Sequence, residues 1–273
     1  MTSIRPSAVN HVNFVPDDYD AAVRQLTEFY GARFLLDVPI GEPDRACLID
    51  LGRVVIELFT PGFASRLKSF RGACSLGVEY VADVAQARQA MAERGFDMSL
   101  DYGSVIHAHA DDCFGLAIEF FAHAFLGEDR PAAIAPPASA AYWRDEHPLG
   151  LLGLKAYCLA VNDAEAAAAF FADFLSGERR YDEERPAIGA RAVGLHVGDG
   201  IVELLAPTGP GPLAARLARD GEGMISTVFR VASLDRARAF HAARGVELAA
   251  GTDLGRLAAP LTLNRGMAFE FSE

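Results

Sequence analysis

The chain has 273 residues, enough for two domains or one large one. Its hydrophobic fraction of 51% and charged fraction of 23% are those of a globular protein with a substantial core. A formal net charge of -12, from 25 basic and 37 acidic residues, argues against nucleic acid and anionic membrane surfaces as main partners.

The N-terminal stretch MTSIRPSAVN lacks the apolar centre of a secretory signal. No run approaches the roughly 18 uninterrupted apolar residues of a membrane helix. Cys47, Cys74, Cys113 and Cys158 are scattered among apolar neighbours with no CxxC pair, the pattern of reduced core thiols rather than a disulfide frame or a zinc site. A cytoplasmic location is the expectation.

In chain order, NHVNFVPDD reads as a short strand ending in a turn. YDAAVRQLTEFYGA then reads as a helix, with Ala21, Val23, Leu26, Phe29 and Tyr30 recurring on one face. Three strand-like runs follow: RFLLDVPI, RACLIDLG and RVVIELF. The order then repeats as SLGVEYVAD, the helix VAQARQAMAERGF, and the runs DMSLDYG, SVIHAHA and LAIEFF. Residues 127–149 are rich in Pro and Ala without periodicity and read as a linker, to which Trp143 lends a packing anchor. Residues 1–126 and 150–273 are the expected domains.

The two halves are copies. VADVAQARQAMAERGF at 81–96 matches VASLDRARAFHAARGV at 231–246, and RVVIELFTP at 53–61 matches GIVELLAPT at 200–208. Each half divides again, so the chain holds four βαβββ units. Every unit closes on a strand with a glutamate in an apolar run: Glu57, Glu119, Glu203 and Glu270. An exposed strand would alternate apolar and polar residues, so these carboxylates face a largely enclosed concave surface. Buried charge is costly unless paired, hydrogen-bonded or bound to a metal. Both an arginine partner and a metal ion satisfy that demand, and the sequence leaves the two open.

Four βαβββ units, the HVNFVPDD first strand and the IEL or IEF last strand resemble the vicinal oxygen chelate superfamily, the glyoxalase, bleomycin-resistance and extradiol-dioxygenase group. The resemblance covers nearly the whole chain apart from the linker. It implies an α+β fold in which tandem βαβββ modules form two glyoxalase-like cupped mixed-sheet domains. It does not fix the reaction, because the superfamily holds isomerases, epimerases, lyases, dioxygenases, thiol transferases and metal-free binding proteins.

The resemblance also implies a divalent metal held by the first and last strands of paired units. In the first half those positions carry His11, Glu57 and Glu119, and the second histidine position falls at Gly77. The stretch VIHAHADDCFGLAIEFF offers a replacement. With a hairpin centred on Cys113, His107 faces Glu119 and His109 faces Ala117, and both histidines share the face of Glu119. The expected ligands are therefore His11 and Glu119 with His107 or His109, and Glu57 as fourth ligand or base. The rival reading makes the histidine pair a hydrogen-bonded polar lining, with His109 steadying a turn at Asp111 and Asp112. In the second half the histidine positions are Ala156 and Ser226. His196 is expected to point away from Glu203, and His241 to lie at the surface or in helix packing. That half reads as a degenerate site.

Nitrogen and carboxylate ligands suit Fe, Mn, Ni, Co or Zn. The leading expectation is an isomerase, epimerase or lyase acting on a small oxygenated metabolite through a metal-stabilised enolate, with Glu57 or Glu119 moving the proton. An extradiol Fe(II) ring-cleaving dioxygenase is one alternative, although the resemblance places that metal in the C-terminal half. A metal-free small-molecule binding protein of the bleomycin-resistance type is the other. The chain is expected to act as a monomer or a homodimer.

Overall fold

One helix cap recurs at the same step of all four units. The side chains of Asp18, Asp83, Asp163 and Ser233 each accept hydrogen bonds from backbone N–H groups two or three residues ahead, where a first strand has ended and a helix begins. These short polar residues stop the strand and start the helix, which is why the repeat is readable in the sequence.

The computed structural model describes residues 1–64, 74–98 and 100–273. In the first half the strands are β1 (Ala8–Phe14), β2 (Arg33–Val38), β3 (Ala46–Leu51), β4 (Val54–Phe59), β5 (Ser75–Val81), β6 (Val105–Ala108) and β7 (Ala117–Phe121). Helix α1 (Tyr19–Arg24) runs on as a π-helical turn over Gln25–Phe29; α2 (Pro61–Ala64) and α3 (Val84–Arg94) follow. The second half contains β8 (Leu151–Ala160), β9 (Glu178–Arg185), β10 (Ala190–Val197), β11 (Gly200–Pro207), β12 (Gly223–Val231), β13 (Ala249–Ala250), β14 (Arg256–Ala258) and β15 (Phe269–Ser272). Its helices are α4 (Ala164–Leu175), α5 (Pro212–Asp220) and α6 (Leu234–Ala242).

These form two mixed sheets, ordered β2-β3-β4-β1-β5-β7-β6 and β13-β14-β15-β12-β8-β11-β10-β9. At the middle of the first, β1 pairs antiparallel with β5, and each is flanked by the parallel closing strand of its own unit, β4 or β7. The second sheet repeats this with β8, β12, β11 and β15. One departure from the expected pattern lies in the second unit. Ser99 of the strand predicted over DMSLDYG lies outside the described residues, and among the described ones the run shows an isolated bridge between Asp101 and Ile106. Asp101 instead binds Arg88 and the N–H of Gly103, whose φ of 81° turns the chain.

Each strand of the cup has two enclosed faces. Val12, Ile56, Val78 and Ile118 join the core, while their neighbours His11, Glu57, Glu79 and Glu119 face the cup. That core runs between the sheets: the Phe14 and Phe269 rings meet edge-on at 5.8 Å, as do Phe120 and Phe174 at 6.0 Å. Tyr80 and Tyr157, both fully buried, join the halves hydroxyl to hydroxyl.

The segment read as a linker packs on the first sheet. Trp143 is buried, with its Nε1–H 3.4 Å from Asp50 Oδ2, and Ala135 N donates to Leu35 O at 3.0 Å. All four cysteines are free.

Candidate metal centre in the N-terminal cup

Register places the polar side chains. On β1, His11 lies opposite Glu79 of β5, while Asn13 lies opposite Glu57 of β4. On β5, Glu79 lies opposite Glu119 of β7, and Glu119 lies opposite His107 of β6. Four strands thus bring one imidazole and three carboxylates to the floor of a cavity of about 440 Å³, with His107 at its side.

His11 is the centre of the group. Its Nε2 lies 3.0 Å from Glu57 Oε2 and 3.8 Å from Glu119 Oε2, and its Nδ1 lies 3.4 Å from Glu79 Oε1. Neither ring nitrogen makes an aligned hydrogen bond despite these short distances, so both are buried and unsatisfied. Phe125 stacks on the ring at 5.5 Å, which fixes its plane. Asn10 Nδ2 donates to Glu79 Oε1 at 2.6 Å, and Asn13 Nδ2 donates to Glu119 Oε1 at 2.7 Å. Glu57 Oε1 accepts no hydrogen bond among the described residues.

Electrostatics follow from burial. Desolvation opposes charge on His11, but Glu79 and Glu57 outweigh it and raise the imidazole to about 10. Burial pushes the Glu79 carboxyl up to about 8 and raises that of Glu57, against the pull of His11. Three enclosed carboxylates around one imidazole are relieved either by protons on Glu57 and Glu79 or by added positive charge.

A divalent ion would supply the added charge. Donor atoms of His11, Glu57 and Glu119 lie within 4.8 Å of one another. Ligands at about 2.0–2.2 Å from an ion stand up to roughly 4.4 Å apart, so small side-chain shifts suffice. The unsatisfied Nε2 and the nitrogen-plus-carboxylate donor set fit such an ion.

The structure brings His11, Glu57 and Glu119 together. His107 stands beside them, its Nδ1 3.5 Å from Glu119 Oε1, but outside the tight group of three. It does not bring in His109. Strand β6 ends at Ala108, and His109 caps a short 3-10 turn, its Nδ1 accepting from Asp111 N at 3.2 Å. That corrects the pairing of His109 with Ala117 on the face of Glu119. The position at Gly77 is closed to any side chain, since an added Cβ would lie 2.0 Å from the Ala117 carbonyl oxygen. Glu79 was missed by the sequence reading, although LGVEYV carries the same signal of an acid within an apolar run.

The C-terminal cup answers the same problem differently. Its counterparts of Glu57 and Glu119 are Glu203 and Glu270. Arg256 reaches between them, its guanidinium 2.6 and 2.9 Å from the two oxygens of Glu203 and 3.9 Å from Glu270. Arg185 at 3.2 Å and the Tyr181 hydroxyl at 2.8 Å complete the shell of Glu203. Burial works against the charged form, yet Arg256 holds the Glu203 carboxyl below its usual range. Leu213 and Leu217 of α5 help fill this cup. The β10–β11 turn is one residue tighter than expected, so Gly194 faces Glu203 and His196 shares that face, opposite Ile201 at the strand end. His241 is buried in packing, not at the surface.

Fold and site define a class: two cupped sheets of four βαβββ units, with an acid-rich pocket in one cup. Residues 153–255 match the family model of the Glyoxalase/Bleomycin resistance protein/Dioxygenase superfamily. A mutant of 4-hydroxymandelate synthase from Streptomyces coelicolor aligns over 98% of this chain and 92% of its own, with a TM-score of 0.73 at 15% identity, and shares the fold. Methylmalonyl-CoA epimerase from Mycobacterium tuberculosis aligns over 45% of this chain and 88% of its own, with a TM-score of 0.43 at 24% identity. No curated protein matches the chain by sequence. The family match lies within the C-terminal half, and over the whole chain the likeness is one of fold.

Proposed function

We propose that the protein is a metal-dependent enzyme of isomerase, epimerase or lyase type. It acts at a carbon next to a carbonyl, with its site in the N-terminal cup. One contrast carries this reading. In the C-terminal cup the paired glutamates are neutralised by Arg256, whereas no lysine or arginine lines the N-terminal cavity among the described residues.

His11, Glu57 and Glu119 would hold the ion, leaving coordination positions open to substrate. A divalent ion there would supply Lewis-acid stabilisation to negative charge on substrate oxygen. Glu79 lies 3.4 Å from His11 Nδ1, a charge contact that favours the ring orientation in which Nε2 faces Glu57 and Glu119. Asn13 steadies Glu119 through Oε1. Glu57 is the better proton carrier of the two carboxylates. Its Oε1 takes no hydrogen bond among the described residues, whereas Asn13 holds Glu119, so Glu57 is the freer of the two to turn toward substrate. The apolar walls exclude water from the exchange.

A ring-cleaving dioxygenase is less well supported. The resemblance puts its two histidines and one glutamate in the C-terminal half, where Ala156 and Ser226 stand at the histidine positions and Arg256 lies against Glu203 and Glu270. A metal-free binding protein would leave three carboxylates in the N-terminal cup with only His11 to balance them.

Elemental analysis of untagged protein tests the proposal, after reconstitution with each of Fe, Mn, Ni, Co and Zn. About one equivalent is expected in wild type and loss in both His11→Ala and Glu119→Gln. No bound metal in wild type under any condition would sink it. Retention in His11→Ala would move the site elsewhere.

A further inference from the structure

We infer that a second cavity, at the seam between the two halves, binds a small organic anion. Its carboxylate or phosphate head is held between Arg53 and Arg230, and its apolar body lies on the leucines around them. The site is separate from the cup and does not rest on the metal.

Two hairpin turns build the cavity. The β3–β4 turn, Gly52 and Arg53, packs on the start of β8, so closely that a Cβ on Gly52 would lie 2.4 Å from Leu151 Cβ. The corresponding β10–β11 turn, Gly198 and Asp199, packs on the start of β1, where a Cβ on Gly198 would lie 3.2 Å from the Ala8 backbone. Residues of both turns and both strand starts line a space of about 410 Å³, within the range of small-molecule sites. Its apolar walls include Val9, Val54, Leu126, Leu152 and Leu154.

Charge sets the ligand class. The titratable side chains lining this space, among the described residues, are His11, Arg53, Asp199 and Arg230. Asp199 Oδ1 accepts from Val9 N at 2.8 Å, which ties its turn to β1. Arg53 stands at the corresponding position of the other turn, yet its guanidinium ties nothing; only its backbone N–H bonds, to Asp50. Neither it nor the guanidinium of Arg230 on β12 makes an ion pair or hydrogen bond among the described residues. Two like charges on one cavity repel, and an anion between them turns that repulsion into attraction. The backbone of Arg53 points the same way. Its φ is 71°, where a two-residue hairpin turn normally carries Asn or Gly. A long side chain kept in that conformation costs stability, and such strain gathers where function holds a residue in place.

Titration calorimetry on the metal-free full chain tests this with benzoate, phenyl phosphate, inorganic phosphate and the neutral benzamide. Benzoate or phenyl phosphate is expected to bind at least about tenfold more tightly than benzamide, and the tighter of the two shows whether the head is a carboxylate or a phosphate. Arg53→Asn and Arg230→Gln are each expected to weaken that binding about tenfold or more. Asn is favoured at positive φ, so Arg53→Asn should melt at or above the wild-type temperature while it loses the ligand, which separates a binding role from a structural one. His11 lines both this cavity and the cup, so the variants locate the ligand. Neither arginine lines the cup, and an anion held there would bind both variants as it binds wild type. That result overturns the inference, as does failure of both organic anions to bind at millimolar concentration. Weakening in only one variant overturns the clamp between the halves. Inorganic phosphate bound as tightly as phenyl phosphate overturns the apolar contact.

Discussion

Glu79 would act on the proposed metal site without being one of its ligands. A ligating imidazole has two nitrogens, and the partner of the second sets the tautomer and direction of the first. Here Nδ1 of His11 faces Glu79 at 3.4 Å, and Asn10 holds Glu79 by a hydrogen bond of 2.6 Å. We predict that Glu79→Gln weakens metal affinity by about 10–100-fold while leaving the fold intact, because the amide keeps the shape and loses the charge. Titration of the apo variant with Mn(II) or Zn(II), beside its circular dichroism spectrum, checks this. Unchanged affinity would reduce Glu79 to polar lining. His109 gives the contrasting case at this scale. Its ring serves a turn, so His109→Ala is expected to leave metal affinity unchanged in the same titration.

Strands and hairpins decide which of these residues could be read from the sequence. Glu57 and Glu119 were legible because an acid flanked on both sides by apolar residues must face an enclosed surface, and β4 and β7 are buried along almost their whole length. Glu79 carries the same mark, but the histidine position two residues earlier drew attention to Gly77 instead. His107 followed from hairpin register, whereas His109 did not, because β6 stops one residue short of it. The β10–β11 hairpin was misread by one residue, since nothing local announces a two-residue turn at Gly198 and Asp199. Arg256 was invisible as a partner, for it reaches Glu203 across several strands from a sequence distance of 53 residues. Pro131 and Ile134 were likewise hidden, because a segment without periodicity gives no sign that it walls a cavity. Gly77 yields a prediction at this scale. β5 and β7 approach so closely there that a Cβ meets the Ala117 carbonyl, so Gly77→Ala should cost about 1–3 kcal/mol in denaturant unfolding. Gly77→His should not add a ligand. Wild-type stability in Gly77→Ala would show that the strands can part and that the position is open after all.

At the scale of the whole molecule, the two sheets share one core, and the histidines at their seam tie its stability to pH. His241 of α6 is fully buried among Phe29, Phe240 and Phe271, with Nδ1 2.8 Å from the Ala237 carbonyl oxygen. His147 packs against Trp143 and Phe240, which joins the segment between the sheets to the second half. Burial lowers both imidazoles below the ordinary value of 6.5. The unfolded chain therefore takes up these protons first as pH falls. Stability from the neutral rings is present above about 6.5 and is lost as pH drops through and below that value, by up to about 1.4 kcal/mol per pH unit for each histidine. The raised carboxyls of Glu57 and Glu79 act with the opposite sign, since the folded state binds their protons more tightly, so wild type alone would mix the two effects. A pairwise comparison separates them. His241→Phe removes one seam titration and leaves the cup untouched, so the melting temperature of wild type relative to this variant should fall steadily from pH 7.5 to pH 5.5. A difference independent of pH would mean that His241 titrates alike in the folded and unfolded states, and a difference that grows would mean that the folded state holds its proton. The Ala237 carbonyl and the Tyr30 hydroxyl are its hydrogen-bond partners, and neither supplies the negative charge that a buried imidazolium would need.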